Sequence, residues 1–527
     1  MSLAYRIAQK QSRGIGRPIA RVKTTPAPVL GWNAKDPLQD MKAGYATILE
    51  NWFPQAGYCE LRKGYASHAT DVGAAAVESL FPYDSGGTQV LLAAGAGDIY
   101  DATATGSATN LNSGTAFSDD LWQGVNFYGV AILVNGSSND KAQSYDGSTL
   151  ASSGLAFLAT AGNSGFDSAN MIYVWHSKER LFMVENNTAN FWYGTVKGIT
   201  GSIMAKYELG AVHRDGGNLV CGGTFTVDGG QGPDDYVAFF FENGDVLVYQ
   251  GTNPGDADNW SIVGRFKIGR PIGRIPLVQI GPDLIAITTD GYMPVRQFMT
   301  SGRTQKNLAV SDNIAPAVSK VVKDFGTLQG WSLTLYPDAN MLIANVPTVA
   351  GAQSRQHVMN TLTGAWCKFT GINANCWAVL GSSIYFGGGS GAVYQFNTTN
   401  ADAGDRIEAD AQTAYKYYLN EQQAEYVLYR AWLQADNPVN VQMGLGVDFM
   451  DAIVTSEQSS VASGGEQFDV AMFDTSFFAG GLTAQDDWQT AGEIGYAAAI
   501  RLKTSTDAHN VRWFANSVAY KPGGVVG

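Results

Sequence analysis

Charge is scarce in this chain. Only 15% of its 527 residues are charged, against 45% hydrophobic and 11% aromatic. That hydrophobic content excludes wholesale disorder. Cysteine is scarcer still. Cys59, Cys221, Cys367 and Cys376 form no CxxC pair, which excludes both a dense disulfide framework and a cysteine-rich zinc site. The spacing predicts free thiols in a chain made in a reducing cytoplasm. Cys367 and Cys376 are the one pair a hairpin would bring face to face, though a buried thiol is the simpler reading of each. The five histidines (His68, His176, His213, His357, His509) are isolated and form no HExxH, so zinc finds no ligand set, and His357 reads as a core or edge side chain of a strand. No stretch approaches the roughly 18 apolar residues of a membrane helix. Leu3-Ala4-Tyr5 is too short for the core of a signal peptide. A GxxxxGK[ST] phosphate loop is also lacking.

Basic residues are few and unevenly placed. Arg6, Lys10, Arg13, Arg17, Arg21 and Lys23 occur in the first 34 residues with no acid among them. The net charge of −13 becomes −19 once those six positive charges are set aside. Gly14, Gly16, Pro18, Pro26 and Pro28 break any helix there, so residues 1–30 are expected to form an extended basic arm lying on a neighbouring subunit or on nucleic acid. Met41, Tyr45, Ile48 and Leu49 recur at helical spacing and predict a short helix within Asp40–Asn51.

Glycine, with 62 residues, is what the chain has in abundance. It fits many short strands joined by tight turns. From about residue 90 to 396 a strand-like run repeatedly reaches a Gly or Asn turn and returns to an aromatic or Val. Tyr100, Tyr145, Trp192, Tyr249, Val295, Val358 and Tyr394 mark the returns, in steps of 45, 47, 57, 46, 63 and 36 residues. Steps of roughly 40–50 residues, each with room for four short strands, are the signature of a β-propeller. The expectation is a mainly β chain: a basic arm (1–30), an N-terminal platform segment (31–76), a propeller of six or seven blades (77–400), and a further β-rich domain, read as a sandwich (401–527). Ala401–Asp405 reads as a polar linker. The stretch Asp228–Asp235 reads as a surface loop that widens one step.

Candidate chemistry is sparse. Tyr83-Asp84-Ser85-Gly86-Gly87 is the nearest approach to a serine-hydrolase motif, but it sits between two strand-like runs and reads as a hairpin turn. Acids cluster at Asp234-Asp235, at Asp256 and Asp258, and at Asp486-Asp487, all read as solvated turns. Paired carboxylates of a propeller glycosidase would come from the blade-opening strands instead. Gly255–Trp260 is too short for a calcium loop. No catalytic residue, cofactor or metal is expected.

Several segments resemble one family, the tail nozzle (tail tubular protein B-like) proteins of short-tailed, podovirus-type bacteriophages. Gly31-Trp32-Asn33 with Asp36-Pro37, Leu49-Glu50-Asn51-Trp52-Phe53-Pro54 and Leu61-Arg62-Lys63-Gly64-Tyr65 are similar to the family's N-terminal signature. Val134-Asn135-Gly136 with Tyr145-Asp146-Gly147, and Arg180-Leu181-Phe182 with Phe191-Trp192-Tyr193-Gly194, resemble blades of the family, and the sharpest match is Gly244–Pro254 continuing to Trp260–Gly264 and Ile268–Gly273. Val358-Met359-Asn360-Thr361 with Gly364-Ala365-Trp366-Cys367, and Ile384–Gly388, complete the match over about residues 31–396.

The resemblance implies a structural virion protein, assembled in the host bacterial cytoplasm. It would form a homohexameric tube below the portal and adaptor rings, through which double-stranded DNA leaves. Its implied partners are the adaptor ring, a tail fibre or spike and a distal plug. On that reading the arm residues Arg6, Lys10, Arg13, Arg17, Arg21 and Lys23 are expected to make contacts between subunits or rings. Asp234, Asp235, Asp256 and Asp258 are candidates for an acidic duct lining, since acidic walls repel phosphates where basic walls bind them. Two alternatives stay open: a receptor- or carbohydrate-binding tail protein, and a propeller hydrolase.

Overall fold

The computed structural model describes residues 19–112, 114–151, 165–199, 204–213, 215–228, 233–301, 309–420, 422–436, 439–454, 456–458, 465–466, 477–478 and 483–523. Successive antiparallel sheets follow the chain. The first blade holds Ser79–Ser85, Thr88–Gly95, Asp98–Asp101 and Thr109–Asn110; the second holds Gln123–Phe127, Val130–Val134, Gln143–Tyr145 and Leu150–Ala151. The third holds Met171–Ser177, Arg180–Glu185, Asn190–Tyr193 and Ala205–Glu208. The fourth is the longest, with Leu219–Asp228, Pro233–Phe241, Asp245–Gly251 and Trp260–Lys267. A fifth has three strands, Leu277–Ile280, Asp283–Thr288 and Gly291–Pro294, and the sixth has Ser332–Tyr336, Met341–Val349, Gln353–Asn360 and Trp366–Phe369. In the seventh, Cys376–Leu380, Ser383–Gly387 and Val393–Thr399 are joined by Gly64–Thr70 from the other end of the chain.

The opening strand of each blade packs beside that of the next, and Cys376–Leu380 packs beside Ser79–Ser85. The chain is a seven-bladed β-propeller with an additional β-rich domain. Because Gly64–Thr70 completes the seventh blade, the ring takes in residues before 77. Closing it with an early strand ties the two ends of the ring together by a backbone ladder.

All seven repeat anchors serve the third strand of their blades, with Val295 immediately after its strand. The irregular steps have local causes. The 57-residue step contains the long hairpin of the fourth blade. The 63-residue step contains helices Val295–Ser301 and Ala315–Phe325, which follow the three-stranded fifth blade. The fourth-blade hairpin also corrects the surface-loop reading. Leu219–Asp228 and Pro233–Phe241 pair antiparallel, with a register shift only between Leu219 and Cys221, so Asp234 and Asp235 lie in a strand. By contrast, Gly86 and Gly87 do form a two-residue hairpin turn, with φ of +60° and +91°.

The expected helix within Asp40–Asn51 is absent; Tyr45–Glu50 is a strand. It pairs with Ile407–Thr413, with a register shift between Ala46 and Ile48 that buries Ala46 and Leu49, and Glu50 also bridges to Lys368 at the outer edge of the sixth blade. Those partners lie hundreds of residues away, and they override the helical spacing. Through this strand the sixth-blade sheet continues outward into Ile407–Thr413, Ala497–Thr506 and Val441–Val447. A second sheet contains Trp52–Pro54, Cys59–Leu61, Val511–Pro522, Ala424–Ala435, Gln489–Gly495 and Thr483–Gln485, with Arg21–Pro26 paired to Val511–Pro522. The two sheets enclose one core, in which Tyr426, Trp513 and Val518 meet Ala411, Met443 and Leu502. That core is continuous with Phe369, Trp377 and Phe386 of the sixth and seventh blades. The platform is therefore a sandwich built from both chain ends.

Candidate functional site

Where platform and ring meet, early residues of the chain touch the end of the sixth blade. Gly31 has a φ of +89°, and a Cβ there would stand 2.6 Å from both the backbone N and O of Trp366. Asn360 donates to the Pro54 carbonyl at 3.0 Å. Asn51, itself in the left-handed region at φ +59°, donates through Nδ2 to Thr370 Oγ1 and to the Glu408 carbonyl.

Asn51 Oδ1 accepts from Arg62 Nε at 2.8 Å and from the Thr370 backbone N–H at 2.9 Å. The Arg62 guanidinium also donates to the Thr370 carbonyl at 2.7 Å, to the Lys63 carbonyl, and to both Asp402 oxygens at 2.7 and 2.5 Å. Both side chains are almost wholly shielded from solvent. Burial pushes the Asp402 carboxyl above its ordinary value, and Arg62 pulls it back. One side chain thus ties four passes of the chain together. Asp402 belongs to the stretch read as a polar linker, so that linker is pinned.

At the starts of the blade-opening strands a cavity of about 50 Å³ is lined by Ser79, Leu121, Arg274, Trp331 and Cys376 among others. Arg274 projects there, its Nη2 shielded and without a hydrogen-bond acceptor among the described residues. Burial lowers its guanidinium to about 10, against which Asp119 acts.

Arg6, Lys10, Arg13 and Arg17 lie outside the described residues. Arg21 and Lys23 do not belong to a free arm: they sit in Arg21–Pro26, in register with Tyr520 and Val518 of the chain's last long strand. Asp235 is an ion-paired strand residue. It accepts from Lys178 Nζ at 2.6 Å and from Thr226 Oγ1 at 2.8 Å, and Lys178 first of all holds its carboxyl below the usual range. Asp234 is its strand neighbour, opposite Val227. Asp256 and Asp258 occupy the turn between Asp245–Gly251 and Trp260–Lys267, where the Asn259 amide lowers the Asp256 carboxyl. All four acids lie at one end of the fourth blade, the end opposite to the Arg274 cavity. No three His, Cys, Asp or Glu side chains among the described residues converge as metal ligands. All four cysteines are free thiols; Cys59, Cys221 and Cys367 are buried. His357 is a core residue whose Nδ1 lies 3.0 Å from the Tyr292 hydroxyl.

Sequence reading missed the Arg62–Asp402 pair, whose members are 340 residues apart. It also missed Arg430, which lies 4.0 Å from the Trp432 ring and 4.4 Å from the Trp488 ring on the platform surface.

No protein-family model and no curated protein matches this chain. Among solved structures it is similar to the computationally designed Ika8 protein, at 8% identity and TM-score 0.37 over 63% of this chain and 100% of that one. It is also similar to Sqt1 of Saccharomyces cerevisiae, at 8% identity and TM-score 0.38 over 67% of this chain and 96% of that one. An exo-beta-1,3-galactanase of Phanerochaete chrysosporium matches at 9% identity and TM-score 0.25 over 75% of this chain and 95% of that one.

Proposed function

We propose that this chain is a non-catalytic structural subunit of a podovirus-type tail nozzle, assembling as a homo-oligomer, a hexamer, beneath an adaptor ring and surrounding the path of ejected DNA. One observation carries the reading. Six residues from the segments that resemble the family, Gly31, Asn51, Pro54, Arg62, Asn360 and Trp366, converge on the junction that fixes the platform to the ring. Acidity favours the same reading: a body bearing −19 beyond its first 34 residues repels phosphates, which suits a conduit better than a nucleic-acid grip.

The test is a mobility-shift titration with duplex DNA at physiological salt, using a chain lacking residues 2–18. The boundary at 18 keeps Arg21–Pro26, which belongs to the platform sheet. Negligible binding is expected. Salt-sensitive micromolar binding would overturn the conduit reading in favour of a protein that holds nucleic acid.

A further inference from the structure

The second platform sheet ends in two open edges. At one edge, Arg21–Pro26 pairs only with Val511–Pro522 among the described residues, and almost every side chain of the strand is exposed. At the other, Gln489–Gly495 pairs only with Ala424–Ala435 among the described residues. Each edge leaves about half of its backbone N–H and C=O groups unpaired, a template for a further strand. The directions agree. Arg21–Pro26 runs antiparallel to Val511–Pro522, which runs antiparallel to Ala424–Ala435, which runs antiparallel to Gln489–Gly495. Continuing the sheet from one copy into another therefore meets these two edges as an antiparallel pair.

The side chains agree as well. Through the registers, Val22 and Ile494 share the outer face of the sheet, at 59% and 56% exposure. Arg21, in register with Tyr520 and Tyr426, shares the inner face with Glu493, and Lys23 follows two residues on. Beside the Gln489–Gly495 edge a groove of about 300 Å³ opens between the two sheets, lined by Leu445, Met450, Asp451, Ile453, Ala491 and Glu493. Met450 and Ile453 are 70% and 79% exposed. Lys23 stands near Lys416, whose ammonium is lowered first by burial and then by the Lys23 charge. Arg21, Lys23, Lys416 and Glu493 stand outside the ion pairs of the described residues, while Asp451 accepts from Gln412 Nε2 at 3.4 Å and its charge acts on Arg501. One edge is thus basic and apolar, and the other acidic and apolar.

Resting on the homo-oligomer reading above, we infer that the Arg21–Pro26 edge of one copy adds antiparallel to the Gln489–Gly495 edge of the next. The contact sets Val22 against Ile494, and Arg21 and Lys23 against Glu493 and Asp451. It is heterologous, the kind that closes into a ring when the rotation fits. Its backbone pairing supplies affinity, and its side chains set the register.

The experiment mixes full-length Val22→Cys chains with full-length Ile494→Cys chains under mild oxidation. The expected product is a disulfide-linked dimer that appears only in the mixture, and a ladder of linked species from a chain carrying both changes. Within one chain the two positions are separated by three interstrand steps, roughly 14 Å, too far for a disulfide. Linkage therefore reports pairing between chains. Lys23→Glu or Glu493→Lys alone should weaken association several-fold, measured by sedimentation, and the double exchange should restore it. Self-linked Val22→Cys dimers would overturn the proposal. So would wild-type oligomers with no mixed linkage, an outcome that leaves the ring reading standing and places another segment on this edge. A wild-type chain that stays monomeric to millimolar concentration without linkage would overturn it too.

Discussion

Replacing Arg62 by Met removes all the guanidinium donors at the junction. Asp402, buried with both oxygens directed at Arg62, loses its counter-charge, and the Thr370 carbonyl loses a 2.7 Å donor. Asn51 Oδ1 keeps the Thr370 backbone N–H, so most of the damage falls on the carboxylate. Breaking a buried pair from one side costs about 3–5 kcal/mol, because a charge is left in a poorly solvated place. Removing both partners, as Arg62→Met with Asp402→Leu, should recover most of that loss. Arg62→Lys keeps the charge but loses the two-pronged contact, and should fall between. With Arg62 gone the Asp402 carboxyl rises further and protonates at higher pH, so the defect of Arg62→Met should shrink as the solution is acidified. The assay is urea unfolding followed by tryptophan fluorescence, with proteolysis at residues 400–405 as a local readout. Lys178→Ala, which breaks the part-exposed pair with Asp235, is the control and should cost no more than about 1 kcal/mol. If Arg62→Met cost no more than that control, the junction pair would be a solvated contact and the joint would be held by something else.

Other changes read other parts of the account. Burial, with the Arg355 and Lys368 charges, brings His357 from 6.5 down to about 3. The folded chain resists a proton that the unfolded chain accepts, so this contribution is complete above pH 6.5 and falls by about 1.4 kcal/mol per pH unit below it, until about pH 3. His357→Asn should flatten the measured dependence between pH 6.5 and 4.5, and an unchanged slope would contradict the assignment. Gly31→Ala forces a Cβ onto the Trp366 backbone at a positive φ and should cost roughly 1–3 kcal/mol in the same unfolding assay. Arg274→Met should raise stability by roughly 1–3 kcal/mol, because it removes shielded donors lacking an acceptor; a loss of stability would reveal a partner for that guanidinium.

The propeller was legible because each blade spends its hydrophobic residues on short central strands bounded by Gly or Asn. The seven anchors record that rhythm locally, without reference to distant partners. Tyr45–Glu50 was not legible, because the register shift in its pairing with Ile407–Thr413 buries Ala46 and Leu49 three residues apart, a spacing that mimics a helix. Asp234 and Asp235 were taken for loop acids on the strength of neighbouring glycines. Their place in a ladder follows from the strand opposite, and the Lys178 partner comes from a different blade. The Arg62–Asp402 pair could not be read at all, since each half looks like an ordinary surface charge until the seventh blade closes and brings both into the joint. Arg21 and Lys23 were visible as basic residues, but the strand that fixes them comes from the far end of the chain.

Assembly is the central claim, and particle mass tests it most directly. The full-length chain should be weighed alone over a range of concentrations, and again after mixing with the adaptor ring of the same virion. The account predicts closed particles containing six copies, alone or seated on the adaptor. Electron micrographs should show an axial opening between copies. Particles of three copies, or a chain that remains monomeric and ignores the adaptor, would contradict it.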